Sequence, residues 1–504
     1  MISNVTEWLD KTAECFPQKV AIYDNEGQYH FGEFRKKALA IAREIIVTTA
    51  AKKCPIVIYL KKSAKVLVSF AATAYSGNFY SPIDIDMPES RIRKIIDVLQ
   101  PEVVITDRAL QSRFKEFGFS GTYIIYEDIE PEETDFDIVK ATQSKIVDTD
   151  LLYVLFTSGS TGTPKGVSIT HRSVIDYIDW VTDTFGITER DSFGNQAPFY
   201  FDNSILDIYC MMKTGASLYI IPQELFPQPV PLLEYLKSNK INSIFWVPSA
   251  LIIVSKLKAF RNVDLVGILE RVLFCGEVMP NKQLNIWRSY LPDCVYANLY
   301  GPTEITDACT YYIVDREFSD DESLPIGIPM KNTEILILDE NDKLVTEPEQ
   351  IGELCVRGTS LAVGYYNNPE KTKQAFVQNP LQSAYEERIY RTGDLVKYNV
   401  QHEIIYLSRK DFQIKHMGHR IELGEIETAV SSLGGISMCC CLYDEKRSRI
   451  VLFLEEEISK DSLDVKLKEL IPEYMMPKKI IYVEKIPLNA NGKVDRVKLK
   501  EYIE

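Results

Sequence analysis

The sequence predicts an α/β protein. A large N-terminal domain of helix-covered, mostly parallel sheets and a small β-barrel is followed by a smaller, mobile α+β C-terminal domain. Helical and strand patterns alternate over residues 1–145, the alternation resumes after a glycine-rich loop at 155–170, and short strands with tight turns begin near Leu324. Strands that alternate with helices are typical of parallel sheets, because each connection between neighbouring parallel strands needs a crossover.

The first round of alternation contains two helices and three strands. Apolar residues recur at helical spacing in 31–45 and 90–99, whereas apolar runs occupy 53–60, 101–107 and 122–128. Short apolar runs bounded by turn residues are typical of buried strands.

The second round begins after the loop, with strand patterns at 216–222, 242–249 and 271–277. From Leu324 onward, short strands separated by tight turns predict a small antiparallel barrel or sheet. Helical and strand patterns after Asp411 predict a separate α+β unit. We therefore expect domains at 1–410 and 411–504.

The composition disfavours several classes of protein. The net charge of −15 argues against nucleic-acid binding, which needs a basic surface. No run approaches the ~18 apolar residues of a membrane span, and the first residues lack a signal-peptide pattern. Ten scattered cysteines without a CxxC pair suit a reducing compartment, and the apolar stretch around 439–441 predicts a buried strand. We expect a cytoplasmic protein, and nothing in the sequence requires more than a monomer.

The glycine-rich loop, LFTSGSTGTPKGVSIT (155–170), is suited to bind phosphate oxygens. Its hydroxyl groups and its lysine are donors, and its glycines allow the backbone to approach closely. A Walker loop places four residues between its first glycine and Gly-Lys-Ser/Thr. Here Lys165 follows Gly159 by six positions, and Gly166 comes after the lysine. The loop therefore differs from the common phosphate-binding motifs.

Five further stretches accompany the loop. They are GNFYSPIDIDMPESRI (77–92), NLYGPTE (298–304), YRTGDL (390–395), SRKDFQIKHMGHRIELGEIE (408–427) and PLNANGKVDR (487–496). Together with the loop, they make the chain resemble, over essentially its whole length, the adenylate-forming superfamily of acyl-CoA ligases, luciferases and peptide-synthetase adenylation domains. The resemblance implies that the protein uses ATP and Mg²⁺, and that a carboxylate attacks the α-phosphorus of ATP.

The resemblance also implies which residues contact ATP. In the loop, the implied phosphate contacts are Thr157, Ser158, Gly159, Ser160, Thr161 and Lys165. The implied ATP contacts outside the loop are Asn298 at the adenine amino group, Tyr300 stacked on adenine, Gly301 in the same motif, Thr303 at the α-phosphate, Glu304 on Mg²⁺, Asp394 at the ribose hydroxyls and Arg409 at ribose or phosphate. A carboxylate suits both the ribose and the metal, because it only accepts hydrogen bonds and is a hard ligand.

Lys493, in NANGKVDR, is implied to be catalytic together with Thr303 and Glu304. In the family pattern this lysine bridges the attacking carboxylate and the α-phosphate, whereas the alternative is a solvated lysine on a turn. Asp411 matches the hinge between the two domains, and Gly418 would line the path of a pantetheine arm. The chain departs from the family at Ser408, where glycine is usual.

Asp202 bears on which acid is activated. It lies in FYFDNSILDIY (199–209), the FDxS context of amino-acid-activating members, where a carboxylate pairs with the α-ammonium group of the substrate. The alternative is that Asp202 caps the following helix. The side-chain cavity is implied to be lined by Asn203, Leu206, Ser249, Leu273, Cys275, Leu299, Asp307 and Ala308.

Within the amino-acid group, LFCGEVMPN (273–281) and the 408–427 region are most similar to stand-alone D-alanine–carrier protein ligases, in which a cysteine at the Cys275 position narrows the pocket. Asp307 is unexpected for alanine, because a buried carboxylate without a partner is costly. It would pair with a hydroxyl or amino group of the substrate, or face solvent. Serine or a small basic amino acid therefore competes with D-alanine.

We expect an AMP-forming ligase that activates D-alanine or another small amino acid and loads a phosphopantetheinylated carrier protein in trans. Eight residues after Arg496 leave no space for a fused carrier domain. The alternatives are a stand-alone peptide-synthetase adenylation enzyme for a polar or basic amino acid, and an acyl- or aryl-CoA ligase, which Asp202 disfavours. A catalytically silent nucleotide-binding regulator is disfavoured by the intact Lys493. A hydrolase is disfavoured because no GxSxG or HExxH motif is present, and we interpret His171 and His419 as structural residues.

Overall fold

The structure is a computed structural model that describes residues 2–49, 52–131, 136–159, 162–320, 322–433, 436, 438–488 and 494–503. The chain divides into two compact units. The larger unit comprises Met1–Ile85, Leu99–Leu155 and Val167–Lys410, and the smaller comprises Asp86–Val98, Phe156–Gly166 and Asp411–Glu504.

The helices and strands follow one another in the alternating order that the sequence patterns predict. The α-helices are α1 Thr6–Cys15, α2 Phe31–Thr48, α3 Ala64–Tyr75, α4 Glu89–Leu99, α5 Gln111–Glu116, α6 Asp137–Gln143, α7 His171–Phe185, α8 Ser204–Thr214, α9 Pro229–Ser238, α10 Pro248–Lys256, α11 Asn281–Tyr290, α12 Pro369–Ala375, α13 Leu423–Ser431, α14 Lys460–Lys468 and α15 Arg496–Lys500. The strands are β1 Val20–Asp24, β2 Gly27–His30, β3 Pro55–Tyr59, β4 Phe79–Pro82, β5 Val103–Thr106, β6 Thr122–Ile125, β7 Leu151–Thr157, β8 Lys165–Thr170, β9 Ser192–Asn195, β10 Ser217–Ile220, β11 Ser243–Trp246, β12 Arg271–Phe274, β13 Val295–Tyr300, β14 Thr310–Ile313, β15 Ile328–Pro329, β16 Thr333–Leu338, β17 Ile351–Gly358, β18 Gly364–Tyr365, β19 Phe376–Gln378, β20 Arg388–Tyr398, β21 Ile404–Arg409, β22 Gln413–His416, β23 His419–Glu422, β24 Cys439–Asp444, β25 Arg449–Leu454 and β26 Lys479–Tyr482.

The largest sheet has nine strands in the order β15-β14-β13-β12-β11-β9-β10-β1-β2. Its middle strands, from β13 to β1, pair in parallel, and the strands at both edges pair antiparallel. Buried apolar residues fill these strands because helices cover both faces of such a sheet. All four residues of β11, for example, are buried.

A second, seven-stranded sheet has the order β18-β8-β7-β4-β3-β5-β6. It also pairs in parallel from β4 to β6, and β18 pairs antiparallel with β8 at the edge. The predicted strands at 53–60 and 101–107 are confirmed as β3 and β5, and the one at 122–128 is confirmed for β6, after which Tyr126–Asp128 form a 3₁₀ turn.

The region after Leu324 forms an antiparallel sheet of five strands. β16, β17, β20 and β19 follow one another, and β21 also pairs with β20, along the edge opposite β17. The antiparallel pattern predicted for this region is confirmed. The pairing of β20 and β21 sets Asp394 opposite Arg409.

The smaller unit contains the hairpin β22–β23, a sheet of β24, β25 and β26, and helices packed on them. Its core includes Ile421, Ile426, Leu452, Leu463 and Met475. The apolar cysteine stretch forms β24, where the second and third cysteines are fully buried, as the sequence predicts. Together, the sheets and helices of both units confirm the predicted α/β class, whereas the division at 1–410 and 411–504 stays a prediction.

The described residues include no helix that is both long and apolar enough to cross a membrane.

Replacing Gly327 with alanine should destabilise the larger unit, because an added Cβ atom would lie 1.8 Å from the carbonyl oxygen of Tyr311, at a φ of +81°. We expect Gly327→Ala to lower the free energy of unfolding by about 3 kcal/mol, measured by urea unfolding. The matched control is Gly267→Ala, which has a φ of +72° and no heavy atom within 4 Å. Because it changes only the backbone preference, it should cost about 1 kcal/mol. Equal costs for the two variants would contradict the steric argument.

Candidate active site

The predicted substrate residues of the larger unit follow the carboxyl ends of parallel strands. β9, β11 and β12 end at Asn195, Trp246 and Phe274, and Phe274 pairs with Asn298 of β13. Loops that follow parallel strands emerge at the same edge of the sheet, which is the usual place for a ligand. These loops and the helices they lead into carry Asp202, Ser249, Cys275 and residues 301–308.

Tyr300, Asp394 and Arg409 form one buried, hydrogen-bonded cluster. Asp394 is 2% exposed and accepts hydrogen bonds from the Tyr300 hydroxyl and, at 2.7 Å, from the Arg409 guanidinium. Burial and then the charge of Asp394 raise the pKa of Tyr300 well above its ordinary value, so the phenol remains a donor at neutral pH. The structure thus brings together three residues that the sequence assigns to the nucleoside.

Thr303 and Glu304 begin a short 3₁₀ turn after β13, and both are buried. The Glu304 side chain is 0% exposed and accepts a hydrogen bond from the Tyr365 hydroxyl at 2.7 Å. Its backbone carbonyl accepts from the Ala362 N–H at 2.8 Å. Sequence reasoning did not identify Tyr365, because the tyrosine is distant in the chain and lies outside every motif.

Asn298 and Gly301 both lie close to backbone carbonyl oxygens. The amide nitrogen of Asn298 donates to the carbonyl of Pro325 at 2.9 Å, so its amide oxygen remains the group that can accept from an amine. Gly301 has no space for a side chain, since a Cβ atom would lie 2.5 Å from the carbonyl oxygen of Asp307.

Asp202 precedes α8 and is not its N-cap residue. The cap residue is Asn203, which makes no side-chain cap hydrogen bond, and Asp202 Oδ1 accepts from the Asn203 N–H at 3.0 Å, outside the helix. The Asn203 side-chain nitrogen is buried and has no hydrogen-bond partner among the described residues. The amino-acid-binding role of Asp202 and its helix-capping alternative both stay predictions.

The predicted apolar lining residues belong to one buried cluster of the larger unit. Its members include Leu206, Leu273, Cys275, Leu299 and Ala308, each at most 2% exposed. Ser249 is half-buried in α10, and its N–H donates to Glu277 at 2.8 Å.

Asp307 is buried, which excludes the expectation that it faces solvent. Its side chain is 1% exposed and accepts a hydrogen bond from the Tyr177 hydroxyl at 2.6 Å. Burial raises the pKa of Tyr153 well above its ordinary value, and the charges of Asp202 and Asp307 raise it further. The charges of Asp202 and Asp307 therefore both raise the pKa of the same buried phenol, that of Tyr153. Tyr177 and Tyr153 were not found from the sequence, because they lie outside the motifs.

In the smaller unit, the hydroxyl groups of the glycine-rich loop differ in their surroundings. Ser158 donates to the carbonyl oxygen of Arg420 at 2.7 Å and accepts from the Glu422 N–H at 3.2 Å. The Thr157 hydroxyl is buried without a hydrogen-bond partner among the described residues.

The backbone and the lysine of the same loop contact two glutamates. The Gly159 N–H donates to Glu425 Oε2 at 3.3 Å, and Lys165 Nζ lies 3.3 Å from Glu422 Oε1. Glu425 also forms a buried ion pair with Arg91 of α4. The predicted phosphate and catalytic residues Ser160, Thr161 and Lys493 lie outside the described residues.

The predicted hinge and pantetheine residues lie in the smaller unit. Asp411 is exposed and begins the unit's C-terminal segment. Met417 and Gly418, with φ angles of +53° and +79°, form the two-residue turn between β22 and β23. Two successive left-handed residues are the geometry of a type I′ hairpin turn, so Gly418 also has a local reason to be glycine.

A second polar group, half-buried Lys62 with the buried Asp207 and Asn195, was not predicted. Lys62 Nζ donates to the carbonyl oxygen of Gln196 at 3.1 Å, and Asp207 accepts from the Asn195 amide at 3.0 Å. Burial lowers the pKa of Lys62 to about 7 and raises that of Asp207 to about 8. The signal for this group in the sequence was the charged residue Asp207 among the apolar residues of α8.

Comparison with known proteins identifies relatives of the chain. A family model described as AMP-binding enzyme matches residues 9–366. The D-alanine–D-alanyl carrier protein ligase of Lacticaseibacillus casei (strain BL23) is 32% identical over 510 residues, which cover 98% of each chain. Tyrocidine synthase 1 of Brevibacillus parabrevis is 30% identical over 503 residues, 99% of this chain. The chain spans less than half the length of this synthase and of gramicidin S synthase 1, at 45% and 43%.

Among solved structures, the Vibrio cholerae adenylation domain AlmE, in complex with glycyl-adenosine-5′-phosphate, superimposes with a TM-score of 0.85. The match covers 100% of this chain and 98% of that one at 21% identity, so it is a likeness of fold.

His171 is a structural residue of the larger unit. It begins α7, is 1% exposed, and accepts the Val5 N–H at 3.3 Å through Nδ1. Burial lowers its pKa to about 4, against about 6.5 for an exposed histidine.

The stability of the protein should fall as the pH decreases from about 6.5 to 4, because the unfolded chain then binds a proton that folded His171 does not. A pKa shift of this size lowers the free energy of unfolding by about 3 kcal/mol once the pH is below both pKa values. We expect His171→Asn to reduce this slope in urea unfolding measured across that pH range. The exposed, left-handed His402 provides a control, since His402→Asn should leave the slope unchanged. An unaltered slope in the His171 variant would contradict the assignment.

Proposed function

Because the chain belongs to the family of AMP-binding enzymes and is an AMP-forming ligase, we propose that it activates a small amino acid as an aminoacyl adenylate. In a second step it transfers the aminoacyl group to the phosphopantetheine thiol of a separate carrier protein. The observation that carries the proposal is Asp202. It lies between β9 and α8, in the segment that follows the carboxyl end of a parallel strand, and its Oδ1 accepts from the Asn203 N–H at 3.0 Å. A carboxylate there suits an ammonium group.

D-Alanine or another small amino acid is favoured as the substrate. Two observations support this choice. The D-alanine ligases of Lacticaseibacillus casei and Bacillus licheniformis match over nearly their whole lengths at 32% and 31% identity. The residues proposed to line the cavity, among them Cys275, pack in one apolar cluster.

Asp307 favours the second candidate, a stand-alone peptide-synthetase adenylation enzyme for a polar or basic amino acid. Its buried carboxylate accepts from Tyr177, and a carboxylate has further lone pairs that a substrate hydroxyl or ammonium group can use. An acyl- or aryl-CoA ligase is disfavoured, because its substrate has no cation for Asp202.

In the first step, an oxygen of the substrate carboxylate forms a bond to the α-phosphorus of ATP, and the bond from that phosphorus to the bridging oxygen of pyrophosphate breaks. We assign the nucleoside to Tyr300, Asp394 and Arg409, whose cluster is already buried and hydrogen-bonded. The glycine-rich loop is assigned to the phosphates. Lys493 is assigned to the reacting oxygens, where a fixed positive charge stabilises the transition state. The attacking carboxylate is already ionised at neutral pH, so this step needs no general base.

The residues fit a Mg²⁺ ion that is bound together with ATP. Glu304 supplies one carboxylate, which Tyr365 holds in place at 2.7 Å. Among the described residues, no group of three or more His, Cys, Asp or Glu could hold a metal ion. Mg²⁺ is commonly bound by one or two protein carboxylates and by substrate phosphates, where it would offset negative charge.

In the second step, the pantetheine thiol attacks the carbonyl carbon of the adenylate and AMP leaves, so that a C–S bond replaces a C–O bond. We propose that the C-terminal domain reorients at Asp411 between the two steps, and that Gly418 then lines the pantetheine path.

Exchange of pyrophosphate into ATP that depends on an amino acid tests the first step. We expect exchange with D-alanine in a panel that includes L-alanine, serine, small diamino acids and fatty and aromatic acids. Lys493→Ala should lower the rate by about 10²- to 10³-fold, the usual cost of removing a preorganised charge. The control Lys498→Ala removes a lysine that is 64% exposed and should have no effect. Exchange only with fatty or aromatic acids would contradict the proposal.

Asp202→Asn should raise the KM for the amino acid by about 100-fold, because loss of the charged partner of the ammonium group weakens substrate binding by about 2–3 kcal/mol. The KM for ATP should stay unchanged. Initial rates of exchange at varied amino acid and varied ATP separate the two constants. Asp307→Asn should change the KM for D-alanine by less than about threefold, since a methyl side chain makes no hydrogen bond to it. If Asp202→Asn has no effect on the amino acid KM, the ammonium assignment is wrong.

A further inference from the structure

The glycine-rich loop of the smaller unit is held by the segment 420–425, which ends β23 and begins α13. Three groups of the loop are used in this contact. They are the Ser158 hydroxyl, the Gly159 N–H and the Lys165 ammonium group. These are the kinds of donor that bind phosphate oxygens.

Two carboxylates of the segment occupy the charged and backbone donors. Glu422 Oε1 lies 3.3 Å from Lys165 Nζ, and both side chains are about nine-tenths buried, with 10% and 12% exposed. Glu425 Oε2 accepts the Gly159 N–H at 3.3 Å. A carboxylate resembles a phosphate in presenting anionic oxygens to N–H donors and to lysine.

Both carboxylates are fixed by further partners in the same unit. Glu422 Oε1 also accepts from the Gln413 amide at 2.7 Å, and Gln413 in turn accepts from Arg420 at 2.6 Å. Glu425 pairs with Arg91, with side chains 6% and 4% exposed. Such fixed, buried pairs are costly to break without a replacement for the charge, so the contact is a defined state of the loop.

The same donors cannot serve a phosphate and a glutamate at once. We propose that Glu422 and Glu425 form a latch that takes the place of the β- and γ-phosphates on the loop, and so competes with ATP and with pyrophosphate. The latch closes when pyrophosphate has left, and it opposes re-entry of pyrophosphate and thus reversal of adenylation. This inference rests on the proposed role of the loop as a phosphate site.

Glu422→Gln tests the latch, because glutamine keeps the size of the side chain and removes its charge. In pyrophosphate exchange, we expect the KM values for ATP and pyrophosphate to fall by roughly 5- to 10-fold, as weakening a charged hydrogen bond implies. The matched control is Glu427→Gln in α13, the helix that follows Glu422. Glu427 bonds to Arg496 and to the Cys441 N–H rather than to the loop, so both KM values should stay within twofold of the wild type. Unchanged KM values in Glu422→Gln would overturn the latch.

Hydrogen exchange of the unaltered protein gives a second measurement that does not depend on how a variant folds. Addition of pyrophosphate should increase exchange of the Glu422 amide, which donates to Ser158 when the loop is latched. Equal or slower exchange in peptides covering 420–425 would overturn the latch. Lys165→Ala separates this failure from failure of the underlying function. If Lys165→Ala leaves the KM for ATP unchanged, the loop is not the phosphate site. The latch proposal is then wrong as well, because it rests on that assignment.

Discussion

Parallel pairing in the nine-stranded sheet is the constraint on which the candidate site of the larger unit depends. Because β9, β11, β12 and β13 run in the same direction, their following loops emerge at one edge, although the strands are tens of residues apart in sequence. The register that sets Phe274 opposite Asn298 therefore also fixes how the loop containing Cys275 lies relative to the turn containing Glu304. A shift of one residue would turn the strand's side chains to the other face.

The edge holds several buried carboxylates, and each has a donor from a distant part of the chain. Asp394 accepts from Tyr300, Glu304 from Tyr365, and Asp307 from Tyr177. Buried charges are tolerated only when hydrogen bonds or opposite charges compensate for lost water. These donors keep the acidic groups in fixed places before any ligand is bound. Such preorganisation is what an enzyme needs where charge develops during a reaction.

In the smaller unit, the buried charges at the glycine-rich loop are also compensated by hydrogen bonds and opposite charges, but the roles of donor and anion are reversed. There the loop supplies the donors, and Glu422 and Glu425 supply the anions. The contact gives Lys165 an anionic partner within the chain, and under the proposed latch a phosphate would have to compete with it. In the proposed latch, closure of the loop is coupled to release of pyrophosphate. This coupling would oppose the reverse of the first step, because pyrophosphate could rebind only after the latch opens.

The sequence by itself determined the fold class, because alternation of helices and strands and the apolar runs of β3, β5 and β11 depend only on local periodicity. It also identified Asp394 and Arg409 as candidate site residues, because both lie in motifs that can be read from the sequence alone. Only the tertiary structure decided the partners of the acidic residues. Tyr177 and Tyr365 lie outside the motifs, and contacts between residues far apart in the chain depend on how strands and helices pack. For the same reason, burial of Asp307 and the inclusion of α4 and the loop in the smaller unit could not be found from sequence patterns.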